Sequence, residues 1–281
     1  MPRVSIIMGV FNNANTLPEA LDSISRQTFS NFELIVCDDG SSDCSLMVLY
    51  TYSARDDRLI ILHNEVNKGL GYSLNRCIDI ARGEFLVRMD ADDISVSDRV
   101  KKLVDAMDEH PETSVIGSAM ELFDENGFWG RTKPILQPTK MQIFTGPAVA
   151  HATTIMRKKI IQDVGAYHSA CDRYRVEDYD LWCRLTERGH KILNISESLY
   201  HCRWEQKGYY HRRKLKHLLG FCTVKVYWCR QLNIGLKGWI HISGYYVKAF
   251  TPVQIKKWYH RNKLTISLLY VNQCRQLKKN E

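Results

Sequence analysis

The feature that most constrains the fold of this chain is a regular alternation of strand-like and helix-like sequence across its first 90 residues. Short β-branched runs, which are typical of strands buried on both faces, alternate with segments whose apolar residues recur at helical spacing. Such an alternation predicts a parallel sheet covered by helices, with ligands bound beyond the carboxyl ends of the strands. The predicted strands are 4–10, 32–37, 59–63 and 85–89, and the predicted helices begin at 17 and cover 45–53 and 71–81.

The start of the first predicted helix carries a local capping signal. Thr16 and Glu19 have the Thr-x-x-Glu spacing of a capping box, in which the two side chains bond reciprocally to the backbone of the first turn. Leu17, Leu21 and Ile24 then follow at helical spacing. We therefore expect Thr16 and Glu19 to cap this helix.

The loops that follow the four predicted strands are polar. Because the carboxyl ends of parallel strands meet at one edge of a sheet, these loops predict a crevice suited to a nucleotide and a metal ion. The sequence has neither the Gly-x-Gly-x-x-Gly pattern of dinucleotide sites nor the P-loop pattern, so the phosphates would be held through metal. In chain order the loops contain Val10-Phe11-Asn12, Asp38-Asp39, Asn67-Lys68-Gly69 and Asp90-Ala91-Asp92-Asp93.

The last of these loops is an acidic cluster that follows the apolar run 85–87 directly. Three carboxylates this close together repel one another unless a positive group lies between them. A divalent cation with its phosphate ligand would satisfy them, since oxygen ligands are what Mg²⁺ prefers. The alternative is a surface turn in which Asp92 or Asp93 caps the next helix.

Charge divides the chain into two parts. A length of 281 residues predicts one or two domains, and the net charge is +8. Residues 1–200 contain 22 Lys and Arg against 29 Asp and Glu, whereas residues 201–281 contain 17 against 2. Because the basic residues of the tail are interleaved with Tyr, Trp and Leu, the tail is suited to nucleic acid or to an anionic membrane surface.

The sequence disfavours several classes of protein. The N-terminus lacks the basic and apolar regions of a secretory signal, and no stretch of 18 residues is apolar enough to predict a spanning helix. The nine cysteines show no Cys-x-x-Cys pair, which argues against a zinc site and against a disulfide framework. A cytoplasmic protein fits this cysteine usage best.

The loop motifs resemble, in order and spacing, the signatures of family 2 glycosyltransferases. The segments that carry the resemblance read VSIIMGVFN, FELIVCDDGSSD, NKG and DADD. The resemblance covers residues 1 to about 200 and implies the GT-A fold, a Rossmann-like, mainly parallel sheet flanked by helices. It predicts a catalytic domain at 1–205, with a donor half at about 1–138 and an acceptor half at about 139–205. A basic helical extension would follow at 206–281.

The resemblance implies roles for individual residues of the donor half. Asp39 would bond the uracil edge of a UDP-sugar, with Val10 and Phe11 lining the base. Asp90 would face the ribose or the sugar, and Asp92 would ligate Mg²⁺ or Mn²⁺ that bridges the diphosphate. The implied nucleotide-sugar set is Val10, Phe11, Asn12, Asp39, Asn67, Lys68, Gly69, Asp90, Ala91, Asp92 and His151.

Plainer readings of some of these residues stay open. Asp38 and Asp43 lie in an Asp-Gly-Ser-Ser turn, where an aspartate often serves only its own backbone, and Asp38 is the weaker candidate for a ligand contact. Lys68 could neutralise a phosphate or could be a solvated loop lysine. His151 lies in a segment that resembles the one behind the transferred sugar. It could touch a phosphate or the metal, or be satisfied by the backbone at a strand start.

The segment LYHCRWE at 199–205 resembles the closing motif of the family, in which a Tyr-x-Arg pattern is often followed by histidine. Glu205 occupies the place of that histidine here. This departure makes His201 a candidate for a role at the metal or phosphate, next to Asp92.

The second informative stretch is EDYDLWCRL at 177–185. Leu181, Trp182 and Leu185 have helical spacing, so Glu177 and Asp178 fall in the first turn, where the helix dipole favours an ionised carboxylate. Both acids could simply cap the helix. In the family that the chain resembles, a Glu-Asp pair supplies the catalytic base, and the matching position here is Asp178 rather than Glu177.

The chemistry follows from these roles. A carboxylate takes the proton of the acceptor hydroxyl as that oxygen attacks the anomeric carbon, and the metal offsets the charge of the departing diphosphate. The predicted function is inverting, metal-dependent transfer of a hexosyl group from a UDP-sugar to a glycan or lipid-linked acceptor in surface polysaccharide synthesis. A sugar-phosphate nucleotidyltransferase is an alternative, although the N-terminal loop lacks its glycine-rich, basic phosphate cradle. A nucleic-acid-binding protein is another, opposed by the acidic first 200 residues.

The tail predicts two basic amphipathic regions, at 209–232 and 239–261. Helices of this kind commonly lie in a membrane interface, where long cationic side chains reach the head groups. A solvated helix pair packed on the catalytic domain is the alternative. Peripheral contact with the inner face of the cell membrane is the expected location, because a lipid-linked acceptor would also be found there.

Overall fold

The computed structural model describes residues 1–168, 176–204 and 215–250. Predictions for Glu205, for the segment 209–214 and for residues 251–261 therefore lie outside the described residues. The boundary between the domains at 205 and 206 falls in the same undescribed segment and stays a prediction.

The described strands and helices alternate as expected through residue 90. The strands are β1 Val4–Val10, β2 Phe32–Asp38, β3 Leu59–His63, β4 Phe85–Asp90, β5 Ile94–Ser95, β6 Thr113–Asp124, β7 Gly127–Arg131, β8 Ile155–Arg157 and β9 Lys191–Arg203. The helices are α1 Leu17–Ser25, α2 Ser45–Ser53, α3 Leu70–Ile80, α4 Arg99–Glu109, α5 Lys140–Thr145, α6 Lys158–Asp163, α7 Glu177–Glu187, α8 Leu215–Gln231 and α9 Leu236–Phe250. A 3₁₀ turn at His151–Thr153 precedes β8.

The described strands form one mixed sheet with the order β3-β2-β1-β4-β8-β6-β9-β5, and β7 pairs with β6. The first four strands are parallel, with Val4 opposite both Phe32 and Phe85. From β8 onward antiparallel pairs appear, although β9 runs parallel to β6. The α/β class predicted from the alternation is confirmed, and its parallel half places the ends of β1, β2 and β4 side by side.

The core lies on both faces of the parallel half. Ile6 belongs to an apolar layer that contains Leu21 of α1, whereas Ile7 belongs to the opposite layer with Leu74 of α3. All four side chains are essentially inaccessible to solvent. Full burial of one Ile or Leu side chain contributes about 1.5–3 kcal/mol. Both faces are thus fixed by packing, and the strand ends are held rigidly.

The expected capping box of α1 does not form, and this prediction was wrong. The Thr16 hydroxyl donates to the Asn13 carbonyl at 3.4 Å and to the Ala91 carbonyl at 3.2 Å, and it makes no bond to the first turn of α1. Glu19 pairs with Arg203, far along the chain. Contacts with residues distant in sequence have thus replaced the local capping bonds. The bond from Thr16 to Ala91 joins the start of α1 to the acidic loop at 90–93.

The described part of the tail packs on the rest of the protein. Helices α8 and α9 contact each other and α5, and α8 also contacts α7. Trp228, Leu232 and Ile242 are buried in the apolar layer that contains Ile7. This is the helix pair expected as the alternative for the tail. No helix within the three described ranges is long and apolar enough to cross a membrane.

Candidate active site

The site is built where β1, β2 and β4 end. Val10 lies opposite Asp38, and Gly9 lies opposite Asp90, so the loops after these strands start from neighbouring positions. Asn64 follows β3 and bonds back across this edge through its backbone N–H, 2.9 Å from the Asp38 carbonyl. The structure therefore brings the predicted donor loops together.

A cleft of ≈ 310 Å³ opens at this edge, within the range typical of ligand sites. Its wall combines predicted nucleotide-sugar residues with the start of α7. The lining residues are Gly9, Val10, Phe11, Asn13, Asp39, Asn67, Gly69, Leu70, Ser73 and Glu177. Glu177 is thus brought to the donor cleft from far along the chain.

Asp39 organises the rim of this cleft. Its carboxylate accepts from the backbone N–H groups of Lys68 at 2.8 Å and Gly69 at 2.9 Å, and from the Asn64 side-chain amide at 2.7 Å. Gly69 has φ +99°, a conformation that residues other than glycine rarely adopt. Asp39 therefore fixes the 67–69 loop. Lys68 contributes its backbone N–H to this arrangement.

Two turn residues bridge loops. The Asn12 backbone N–H donates to the Ser41 hydroxyl, and its side-chain oxygen accepts from the Ser42 backbone N–H at 2.8 Å. The described contacts of Asn12 thus join two loops, and its place in the nucleotide-sugar set stays a prediction. Asp43 accepts from the backbone N–H of Ala14 and of Ser45, both at 2.9 Å, as the plainer reading of this turn anticipates.

Asp38 is fully buried below the cleft. One carboxylate oxygen accepts from the Ser41 backbone N–H at 3.2 Å and lies 2.9 Å from His63 Nδ1. Because these partners are part of the protein, Asp38 shapes the turn between β2 and α2. The reading of Asp38 as a turn residue is the one that these contacts support.

The acidic cluster has a different electrostatic character. Asp90 pairs with Arg88, a fully buried arginine that the sequence analysis did not single out. Burial, and next the charge of Asp90, raise the pKa of Asp92. The same causes, with the Asp92 charge added, raise the pKa of Asp93 to about 8. The charges of Arg88 and Arg203 lower the pKa of Asp92 without cancelling these effects, so this donor set fits a divalent cation.

Tyr200 and Arg203, both on β9, hold the acidic loop. The Arg203 backbone N–H donates to Asp93 at 2.7 Å, and the Arg203 guanidinium donates to the Asp92 carbonyl at 3.0 Å. The Tyr200 hydroxyl accepts from the Asp90 backbone N–H at 3.0 Å. The closing motif at 199–205 was the available sequence signal for these contacts. Ala91 is buried, and the Thr16 hydroxyl donates to its carbonyl.

The structure does not bring His201 to Asp92, which corrects the predicted metal role. Tyr200 faces Asp90, and successive strand residues point to opposite faces. His201 Nε2 lies 3.4 Å from a Glu121 carboxylate oxygen, and the ring packs on Phe128. Across the described ranges no three His, Cys, Asp or Glu side chains form a complete metal site. Magnesium often takes one or two carboxylates and completes its shell with substrate phosphates and water.

His151 is held inside the protein. Its Nε2 lies 2.7 Å from the Tyr167 hydroxyl, and its ring packs edge-on against Trp182. Burial, and next the charge of Arg88, lower the pKa of His151 well below its ordinary value. A neutral imidazole does not attract a phosphate as a cation would. The alternative of a satisfied histidine before β8 is favoured, with the Tyr167 hydroxyl as its partner.

Asp178 lies beside the acidic cluster, in the first turn of α7. One of its carboxylate oxygens accepts from the Tyr179 backbone N–H at 2.7 Å. Burial raises its pKa, the charge of Arg88 lowers it and that of Asp90 raises it. Burial therefore outweighs the helix dipole that was expected to keep this group ionised. A raised pKa makes a carboxylate a better proton acceptor near neutral pH.

Comparisons with known proteins fit this site. Residues 5–165 match the family described as Glycosyl transferase family 2. The chain is 34% identical over 281 residues to "Putative glycosyltransferase EpsE" of Bacillus subtilis, covering 100% of this chain and 99% of that protein. It is 30% identical over 213 residues to "O-antigen biosynthesis glycosyltransferase WbnJ" of Escherichia coli, covering 73% of this chain and 80% of that protein.

The fold is also similar to that of a solved protein. The "Crystal structure of S. aureus TarS 1-349 in complex with UDP-GlcNAc" matches with a TM-score of 0.66 and 20% identity, over 83% of this chain and 70% of that chain. The GT-A fold class expected from the sequence is confirmed by this likeness.

Proposed function

The chain belongs to glycosyltransferase family 2, and from that premise we propose that it transfers a sugar from a UDP-sugar to an acceptor hydroxyl with inversion at the anomeric carbon. The observation that carries the proposal is the position of α7. Its first turn supplies Glu177 to the wall of the donor cleft and Asp178 to the neighbourhood of Arg88 and Asp90. A proton acceptor and the donor loops thus share one edge of the sheet.

The proposed donor occupies the ≈ 310 Å³ cleft. Val10 and Phe11 would flank the uracil, and Asn67 and Gly69 would lie along the opposite rim that Asp39 fixes. UDP-GlcNAc is the ligand named for the TarS complex, which supports a UDP-sugar as the donor class. The hexose itself would be selected by hydroxyl contacts farther along the cleft.

The acidic cluster is the proposed place of Mg²⁺ or Mn²⁺. Asp92 would hold the ion, with Asp90 beside it. Burial, and next the charge of Asp90, raise the pKa of Asp92, and a cation would offset that charge. When bound, such an ion neutralises charge on the departing diphosphate. Arg88 holds the Asp90 carboxylate, and Arg203 holds the backbone of the same loop through the Asp92 carbonyl.

Asp178 is the proposed catalytic base. Its carboxylate accepts the proton of the acceptor hydroxyl while the acceptor oxygen forms a bond to the anomeric carbon. The bond from that carbon to the diphosphate oxygen breaks, and its electron pair leaves with UDP. Arg88 favours the ionised carboxylate through its charge, and burial strengthens its basicity. One displacement inverts the anomeric centre.

A lipid-linked or growing surface glycan is the proposed acceptor. The names of relatives such as the O-antigen enzyme WbnJ support this class of product. Helix α9 exposes Leu236, Trp239, Ile240 and Val247, and Lys237 lies among them. Apolar residues with a cation on one helix are suited to an anionic interface, so we propose peripheral contact at the cytoplasmic face of the membrane.

The test is release of UDP from UDP-glucose, UDP-galactose and their N-acetylated forms, with and without Mn²⁺. Asp178→Asn keeps the size of the side chain but loses its basicity, so we expect turnover to fall about 10³-fold while UDP still binds. The exposed Asp79→Asn serves as the matched control and retains full turnover. Wild-type turnover in Asp178→Asn would refute the assignment of the base.

A further inference from the structure

Lys225, in the middle of α8, is a fully buried lysine. Its ammonium donates to the Phe144 carbonyl at the end of α5 and lies 3.5 Å from the Tyr179 hydroxyl. Four rings surround it, with centroids 4.8 Å (Phe144), 4.5 Å (Tyr179), 4.8 Å (Phe221) and 5.2 Å (Tyr245) away. We call this group the Lys225 cage. Burial lowers the pKa of Lys225 to about 8.

The rings of the cage come from separate elements. Phe144 belongs to α5, Tyr179 to α7, Phe221 to α8 and Tyr245 to α9. A cation near several ring faces gains about 0.5–2 kcal/mol from each favourable contact, more when it is shielded from water. The cage therefore joins both tail helices to α5 and to α7, whose first turn reaches the cleft.

Trp228, one turn after Lys225, makes a second contact with α7. Its indole N–H donates to an Asp180 carboxylate oxygen at 2.9 Å, and both side chains are buried. The other Asp180 oxygen accepts from the Arg184 guanidinium at 2.8 Å and lies 3.1 Å from His168 Nδ1. Hydrogen bonds to an ionised group are stronger than those between neutral groups, so Asp180 is a firm anchor.

Both contacts fall on the two residues that follow Asp178. Tyr179 donates its backbone N–H to Asp178 at 2.7 Å and its hydroxyl to the Phe144 carbonyl at 3.0 Å. The first turn of α7 is therefore bonded to α5 by Tyr179 and to α8 by Asp180. The position of the Asp178 carboxylate depends on these bonds, because helical residues one and two positions apart move together.

We propose that Lys225 and Trp228 are positioning residues for glycosyl transfer, which hold the first turn of α7 so that Asp178 stays beside Arg88 and Asp90. The inference rests on the proposed function, since it assumes that Asp178 takes the proton. A displacement of about 1 Å at a reacting group can lower a rate about 100-fold. Ordinary core residues would instead affect stability alone.

The first test uses the full chain with Trp228→Phe, which removes the donor to Asp180 and keeps an aromatic ring. We expect kcat to fall about 10-fold, with the KM for the UDP-sugar within about twofold of wild type. Hydrogen exchange of the backbone N–H groups at 177–184 should become faster, and this readout needs no activity. Tyr227→Phe, on the exposed side of the same helix, is the matched control and changes neither quantity.

The second test replaces Lys225 by Met. The Met side chain is also unbranched and of similar length, but it lacks the charge and the hydrogen-bond donors. The matched control is Lys159→Met on α6, where the lysine is exposed. We expect Lys225→Met to lower kcat by about 10-fold and to speed exchange at 177–184, whereas Lys159→Met preserves both. Activity is expressed per folded molecule, so a simple loss of stability is counted separately.

The outcomes separate the two proposals. If Asp178→Asn is inactive while Trp228→Phe and Lys225→Met keep wild-type kcat and exchange rates, the positioning role is wrong and the assignment of the base stands. If Asp178→Asn keeps wild-type turnover, the assignment of the base is wrong, and the positioning role falls with it. A lower melting temperature with unchanged kcat per folded molecule would also overturn the inference.

Discussion

Two groups of carboxylates lie at the same edge of the sheet, and they differ in what satisfies them. Asp39 accepts three hydrogen bonds from the protein, two of them from backbone N–H groups. Asp93 is buried and Asp92 is half-buried beside Asp90, and burial with like charge raises the pKa of both. Both carboxylate oxygens of Asp39 accept hydrogen bonds from the protein, whereas Asp92 and Asp93 would gain more from a bound cation. Asp39 thus fixes the shape of the loop at this site, whereas Asp90, Asp92 and Asp93 supply the negative charge that would bind a cation.

The largest test of this difference is Asp92→Asn. It removes one acid from a cluster in which the charges of Asp90 and Asp92 raise the pKa of Asp93, so we expect Mn²⁺-dependent turnover to fall at least about 10³-fold while the melting temperature stays equal or rises. Adding Mn²⁺ with UDP should raise the melting temperature of the wild type and fail to do so in the variant. Asp57→Asn, at an exposed site, is the control. A strongly destabilised Asp92→Asn protein would contradict the comparison.

The second test follows kcat with pH. The pKa of Asp178 is raised by burial, and only the ionised carboxylate accepts a proton. As pH falls through this raised pKa, turnover should decrease about 10-fold per pH unit, beginning at a higher pH than an exposed aspartate would give. Circular dichroism at the same pH values separates this loss from unfolding. If turnover fell only at the lower pH where an ordinary aspartate is protonated, the assignment of Asp178 as the base would be contradicted.

The third test is Asp39→Asn. The amide offers one acceptor oxygen in place of two, so at least one N–H of the 67–69 loop or of Asn64 loses its partner. We expect a loss of about 2 kcal/mol in the free energy of unfolding and a rise of about 10-fold in the KM for the UDP-sugar. Urea unfolding and initial rates measure the two effects. A neutral effect on stability would show that Asp39 does not support the loop.

The smallest effect is expected for Glu19→Gln. Glu19 forms a partly exposed ion pair with Arg203, and surface ion pairs contribute about 0–1 kcal/mol to the free energy of unfolding. The Arg203 backbone N–H, which holds Asp93, is unaffected by the change. Turnover should stay within about twofold of wild type, in contrast to Asp92→Asn. A large loss of activity would mean that the pair with Glu19 is needed to hold the Arg203 guanidinium on the Asp92 carbonyl.

Much of the parallel half could be predicted from sequence, because local apolar periodicity and the burial of strands agree there. The predicted bounds of β1, α2 and β3 match the structure residue for residue. Thr16 and Glu19 were misread because their partners, Ala91 and Arg203, are distant in sequence. Local spacing carries no information about such partners.

The electrostatics of the site could not be read from sequence for the same reason. Asp178 looked like an acid at a helix N-terminus, but packing buries it and raises its pKa. Lys225 looked like one more basic residue of a solvated or membrane-facing helix. Its burial depends on rings from four helices, and no periodicity reports that arrangement. His201 was a candidate for a role at the metal or phosphate, but the face of β9 that meets Asp90 carries Tyr200, and tertiary structure fixes which face that is.

The bond from Lys225 to the Phe144 carbonyl limits how this enzyme can be recombined with its relatives. The family match ends at residue 165, before the helix that carries Asp178 begins. A chimera joined at that point would pair a foreign tail with the native end of α5, and the incoming helices would need a cation at the position of Lys225. We therefore expect such a chimera to keep the native packing of these helices only when Phe144, Tyr179 and Lys225 are exchanged together.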